Sequence, residues 1–315
     1  MRQSSVPTAF EQHREAVRGR LRAAGLTRSG PGSISWTINR EIVVVAGWGR
    51  AILLQLAHPL VAAGVGDHSG FRGGLRPGMS RLRSTIGAML ALTFGDDEEA
   101  IAVAAHVNAV HDRVFGQLRD AAGAFPAGEP YSAHQADLLR WVHGTLIESI
   151  PLTYELLVGP LTADERNRYC AEAAVIEPLF DIPAGTLPRT TVALDAFMRD
   201  SLRSRRIAVT PATRALARAA LFPPHWRLLW PALRPAQLIT IGLLPAAVRD
   251  AYGFSWTERD ARALTRWTSA LRITRRLLPP SVREWPAARH GPRRSVRPVE
   301  GAIAVRQLGE TPVSR

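Results

Sequence analysis

The side chains in this sequence best placed to do chemistry are histidines set in apolar stretches. His106 and His111 stand five residues apart in "HVNAVHDRVFG", which puts them roughly 140° apart around a helix of about 3.6 residues per turn. Two imidazoles so placed do not chelate one metal together. A single helical histidine keeps another option, because heme iron needs one imidazole and an open position opposite it. The competing reading of His111 is a core histidine bonded to a neighbour. His143, in "LLRWVHGTLIES", fits a pocket wall or a satisfied core position equally well. His58 precedes Pro59, so its backbone is biased away from the helical region and its side chain is expected to aim into a cavity at a bend. His68 lies in the glycine-rich "GDHSGF" and is expected to reach solvent. Arg81, Ser84 and Thr85 in "RLRST" form a compact polar cluster heading an apolar helix, and read equally as a helix start with a solvated arginine.

Other chemistries lack their signatures. The chain has no Gly-x-Ser-x-Gly elbow, no Gly-x-x-x-x-Gly-Lys phosphate loop, no His-Glu-x-x-His and no paired Glu-x-x-His set for a di-iron site. Its one cysteine, Cys170, excludes an intrachain disulfide and a multi-cysteine zinc site.

The elements that must position these residues read as helices, with short alternating strand patterns nearly absent. The spacing predicts helices over Phe10 to Ala24, Thr37 to Leu56 with a bend at Pro59, and a helix starting near Ser80. The acidic "DDEEA" opens another that continues through "IAVAAHVNAVHDRVFGQL". Later helices are expected in "HQADLLRWVHGTLIESIPLTYELLV", after the capping-box pair Thr162 and Glu165, and in "LPRTTVALDAFMRDSL" and "VTPATRALARAALF". The fold expected is all-α: an N-terminal helix and linker over 1–33, a helical domain over 34–278, and a loosely ordered Pro/Arg-rich tail over 279–315.

The run from Ile42 to Val65 is nearly long and apolar enough to cross a bilayer, but Arg50, Gln55 and His58 interrupt it. At membrane depth such groups cost several kcal/mol (about 2.5–3.5 for an arginine), so a buried helix pair is the expectation. The formal charge is +13, and all 40 basic residues are arginine. No zinc-finger spacing or RNP-type stretch accompanies that charge, so no nucleic-acid partner is expected. An anionic membrane surface remains open as a peripheral partner for the Trp/Arg-rich segment Trp226 to Arg249. The N-terminus has no apolar signal region, and a cytoplasmic location is expected.

In order along the chain, "INREIVVVAGWGRAILLQLAHPLVAAGVGDHSGF", "RLRST", "VHDRVFG", "YSAHQADLLRWVHGTL", "GPLTADERNRYCAE" and "LLPAAVRDAYGFSW" resemble the MpaB-type oxygenases, which include the rubber oxygenases called latex clearing proteins. The resemblance spans Ile38 to Trp256. It implies a b-type heme in an all-helical, partly globin-like core, with His111 matching the axial iron ligand. The family's Arg-x-x-Lys-Thr cluster falls on Arg81, Ser84 and Thr85, on or near the heme. Ser84 stands where the rubber oxygenases carry a lysine able to close the distal iron position, so rubber cleavage itself does not transfer. Arg50 is then expected to pair with a propionate or, failing that, with a carboxylate such as Glu41, and His58 and His143 to line the pocket.

The resulting expectation is a heme b-dependent oxygenase using dioxygen on an isoprenoid or lipid-like substrate, by cleavage of a carbon–carbon double bond. The alternative is a non-catalytic heme or lipid carrier on the same scaffold.

Overall fold

The computed structural model describes residues 8–25, 28, 30–68, 75–222 and 230–290. The architecture is all-α with one small hairpin. Helix α1, Ala9–Ala24, starts with a Thr8/Glu11 capping box and ends at Gly25 in the left-handed region. It packs into the body of the fold. Val17 is fully buried against Ile101 and Ala104 of α6 (Asp97–His111) and against Leu179 of the short α9 (Ile176–Leu179). Arg14 and Arg18 both pair with Glu98.

The sequence pattern predicts one helix from Thr37 to Leu56, and the structure breaks it. Helix α2, Ile34–Asn39, is followed by a 3-10 turn, Ile42–Val45, and then α3, Ala46–Leu56. The break is at Glu41, whose backbone is extended. Its neighbour Arg40 accepts a hydrogen bond at its carbonyl from Trp285 N–H, and Glu41 itself bridges to Glu284. The Glu41 carboxylate is buried in a two-pronged ion pair with Arg275. A contact more than two hundred residues away thus overrides local helical preference.

After α3 the chain bends by 104° into α4, Pro59–His68. Proline lacks the N–H that would continue the ladder and disfavours helical backbone at His58. Among the described residues no single helix is long and apolar enough to cross a membrane. Leu53, Leu54 and Ala57 of this run instead enter the main core, and Leu60 joins a smaller cluster under the hairpin.

The spine of the core is α7, Ala136–Leu157, which lies along α3. Trp141 Nε1 donates to the Leu54 carbonyl at 3.1 Å. The two helices approach so closely at Gly47 that a Cβ there would lie 2.8 Å from the Ser149 carbonyl. Helix α5, Leu75–Phe94, packs on α6, whose N-terminus carries the expected acidic cap, here an Asp96/Glu99 capping box.

Helix α6 stops at His111, short of the expected extension through "DRVFGQL". The chain turns there into β1, Phe115–Gln117, which pairs antiparallel with β2, Pro130–Ser132, setting Gly116 opposite Tyr131. The Tyr131 ring lies over Gly116 so closely that a Cβ would fall 2.9 Å from its Cζ, which leaves room only for glycine.

Helix α8, Ala163–Glu172, has the expected Thr162/Glu165 capping box, and α10 and α11 span Thr191–Arg203 and Pro211–Leu221. In α12, Trp230–Gly242, Leu238, Ile239 and Ile241 are buried, so the described part of the Trp/Arg-rich segment contributes to the core. Helix α13 spans Ala246–Tyr252 and α14 spans Glu258–Leu277. Residues 280–290, assigned by sequence to a loose tail, form α15, Pro280–Arg283, and α16, Pro286–His290, with Ala288 buried beside Trp36 and Phe94. The rest of that tail lies outside the described residues.

Candidate functional site

A cavity of about 640 Å³ lies between α4, α5, α6, α7 and the α8–α9 corner. Sites for drug-sized ligands and cofactors run to roughly 300–1,000 Å³. Helical period builds its walls. Helix α7 presents Leu138, Leu139, Val142, His143, Leu146, Ile147 and Ile150. Helix α5 presents Thr85, Ala88, Met89 and Leu92, and α6 presents Val107, Val110 and His111. Steps of three and four residues keep these side chains on one stripe of each helix.

Most polar atoms on the wall already have partners. Arg28 donates to the carbonyls of Leu92 at 2.6 Å and Gly95 at 2.9 Å, capping the end of α5. Glu172 accepts from the backbone N–H groups of Ile34 and Ser35 at the start of α2. Gln55 donates to Val142 O and Thr145 Oγ1. Tyr131 donates to Asp67 Oδ2 at 2.8 Å, and burial followed by that bond pushes its hydroxyl pKa up to about 12. His68 lines the cavity from the solvent side, with Nε2 3.1 Å from the Phe115 carbonyl.

His111 is different. It is the last residue of α6 and lies on the cavity wall, and its Nδ1 is buried without a hydrogen-bond partner among the described residues. Burial, then the neighbouring His134, lower its pKa to about 4 against the opposing pull of Asp112. The ring is therefore neutral near pH 7 and keeps a free lone pair. His134 stands edge-on at 5.8 Å between ring centroids. Asp112 next to His111 accepts from His13 at 2.7 Å and His134 at 2.8 Å, and these bonds hold its carboxyl below the usual range.

His143 also lines the cavity, stacked on Phe180 with centroids 5.4 Å apart, and burial followed by the nearby His111 brings its pKa to about 4. Thr85 lies on the wall, whereas Ser84 is exposed and off it. The Arg81 side chain lies outside the described residues.

Two residues expected to face the pocket, Arg50 and His58, do not line this cavity. Arg50 is buried between α3, α7 and α12, with Nη1 2.6 Å from Glu148 Oε2 and 2.7 Å from Ser149 Oγ, and Nε donating to the Leu243 carbonyl at 2.7 Å. Its acidic partner is Glu148, one turn-face of α7 away from the cavity, and not Glu41. His58 is buried under the hairpin against Phe125, 5.2 Å between centroids, and does not line the cavity. The bend at Pro59 aims its ring at this satellite cluster. His106 is also off the wall.

Sequence reasoning missed Tyr131 and Glu172, because each reaches the cavity through a hairpin or a long-range packing contact, and it marked Gln55 only as a polar interruption of the apolar run. The stripes Thr85/Ala88/Met89/Leu92 and Leu139/Val142/His143/Leu146 were legible as periodic apolar faces. What the pattern lacked was which face met a void. Among the described residues no group of three His, Cys, Asp or Glu side chains converges as a metal site.

A family model described as "ER-bound oxygenase mpaB/B'/Rubber oxygenase, catalytic domain" matches residues 36–276. Neither the curated proteins nor the solved structures gave a match.

Proposed function

The chain belongs to the MpaB/rubber-oxygenase catalytic-domain family, and from that premise we propose that it is a heme b-dependent oxygenase with His111 as the iron ligand and a hydrophobic, isoprenoid- or lipid-like substrate. Membership supports an oxygenase in general terms. The observation that carries the finer reading is the His111 imidazole: neutral, on the wall of a large apolar cavity, with a buried nitrogen that has no partner among the described residues. An unpaired buried donor or acceptor costs about 1–3 kcal/mol, so the position calls for a partner from outside the chain. His58 Nδ1 is also without a partner among the described residues, but His58 does not line this cavity.

The residues present therefore fit a heme held by one histidine. Bound there, heme would supply the iron centre for dioxygen activation. The chain's own residues do the rest. Asp112 and His134 pack beside the His111 ring and restrict its orientation. The aliphatic faces of α5, α6 and α7 exclude water and favour a hydrocarbon over a polar substrate. His143 and Thr85 are the polar groups of the wall closest in type to what an oxygenated substrate needs as hydrogen-bond partners. The overall reaction proposed is insertion of both atoms of dioxygen across a carbon–carbon double bond, giving two carbonyl products.

Ser84 favours keeping the carrier reading in view, since it is exposed where the rubber oxygenases have their lysine. Ultraviolet–visible spectra of the purified protein with hemin and dithionite test the cofactor. The expected result is a Soret band that shifts on reduction in the wild type and in His143→Ala, and is lost in His111→Ala. Retention of the band in His111→Ala rejects the ligand assignment. Oxygen uptake with an unsaturated lipid then separates enzyme from carrier.

A further inference from the structure

We infer that the outward face of α14 and α15 is a docking surface for an anionic lipid bilayer. Three large aliphatic side chains stand in solvent along it: Ile273 at 62% exposed, Leu277 at 80% and Val282 at 54%, with Trp267, 43% exposed, on the flank of α14 roughly 120° round from Ile273. Single exposed leucines are ordinary. These are not single: Ile273 and Leu277 lie one turn apart on α14, and Val282 follows on α15 just past the Pro279 turn.

Within the stretch that carries them the charges have one sign, with Glu258, Asp260 and Glu284 just outside it. From Ala261 to Arg283 the chain carries arginines at 262, 266, 272, 275, 276 and 283 and no Asp or Glu. Two of these are used internally, Arg275 on Glu41 and Arg272 on the carbonyls of Glu155 and Leu156. Arg283 lies beside Glu284. Arg262, Arg266 and Arg276 are exposed; Arg262 pairs with Glu258 at 3.9 Å, and among the described residues no ion pair holds Arg266 or Arg276. The elements packed against the inner face of α14 are α7 and α12, and the acid nearest the α12 contact, Asp260, is taken by Arg234.

An aliphatic ridge flanked by Arg266 and Arg276, which hold no acid among the described residues, is the composition of a helix that lies in a membrane interface. The apolar side chains enter the headgroup boundary and the guanidinium groups meet lipid phosphate. Charge complementarity favours this occupant over the alternatives. Self-pairing across a two-fold axis would set arginine against arginine. The segment 291–315 carries five arginines against two glutamates and is itself basic.

Co-sedimentation of the full chain with phosphatidylcholine vesicles, with and without phosphatidylglycerol, tests the inference. The expected result is binding to the anionic vesicles alone, weakened by salt. Arg266→Gln with Arg276→Gln lowers partitioning roughly 25-fold, on the order of fivefold per arginine. Ile273→Asp with Leu277→Asp abolishes binding. All four positions are exposed, and far-UV circular dichroism with thermal midpoints checks that the fold stands. Absence of vesicle binding, equal binding to neutral vesicles, or binding unchanged in the Asp variant each overturns the inference. So does concentration-dependent dimerisation in sedimentation velocity that the Asp variant removes.

Discussion

His58 gives the sharpest test of how the buried histidines are held. Its ring sits 3% exposed beneath Phe125, and burial followed by the nearby Arg206 lowers its pKa from 6.5 to about 4, while Asp137 pulls weakly the other way. The unfolded chain therefore takes up the proton as pH falls below 6.5, whereas the folded state resists it until about 4. Stability from this group is fully present above pH 6.5 and is lost as pH falls toward 4. The shift corresponds to about 3 kcal/mol in full, and roughly 2 kcal/mol of it is gone by pH 5. Urea unfolding of the protein without added hemin, followed by far-UV circular dichroism at pH 7.5 and pH 5, measures the loss. In His58→Gln the amide does not titrate. That variant is less stable than wild type at pH 7.5, because a polar group stays buried without a full set of partners. Its further loss on acidification to pH 5 is smaller than that of wild type by about 2 kcal/mol. Equal acid sensitivity in the two proteins would falsify the buried, neutral assignment of His58. His111 and His143 are lowered in the same direction, so wild type and His58→Gln both retain an acid response from them.

Arg50→Met strands Glu148 and removes the donors to Ser149 and Leu243; chemical denaturation is expected to show a loss of about 3–5 kcal/mol, the usual result of breaking a buried pair from one side. Because Arg50 is off the cavity, residual folded protein should take up hemin with wild-type affinity in a titration at low temperature. Gly47→Ala places a Cβ against Ser149 O and the Thr153 side chain, forcing α3 and α7 apart, and thermal unfolding should report about 1–3 kcal/mol of destabilisation. Thr162→Ala removes the N-cap of α8 at an exposed site and should cost about 1 kcal/mol with no change in hemin binding.

The amino-acid sequence determined the helical class, most helix starts and the family. Apolar period, Thr/Asp capping boxes and Pro59 act within one or two turns of chain, so local pattern suffices to read them. It also singled out His111 and His143, because a histidine in an apolar stripe is conspicuous whatever surrounds it. Tertiary structure decided the rest. The break at Glu41 depends on Arg275 and Trp285, and the stop at His111 depends on a hairpin whose second strand starts at Pro130. Arg50 and His58 are polar residues in one apolar run, yet each was claimed by a different neighbour, Glu148 and the Phe125 cluster. A buried polar side chain goes to whichever partner packing brings within about 3 Å, and sequence spacing carries no record of that when the partner is a hundred residues away. The cavity itself is a property of how five helical faces fail to close, which no single face encodes.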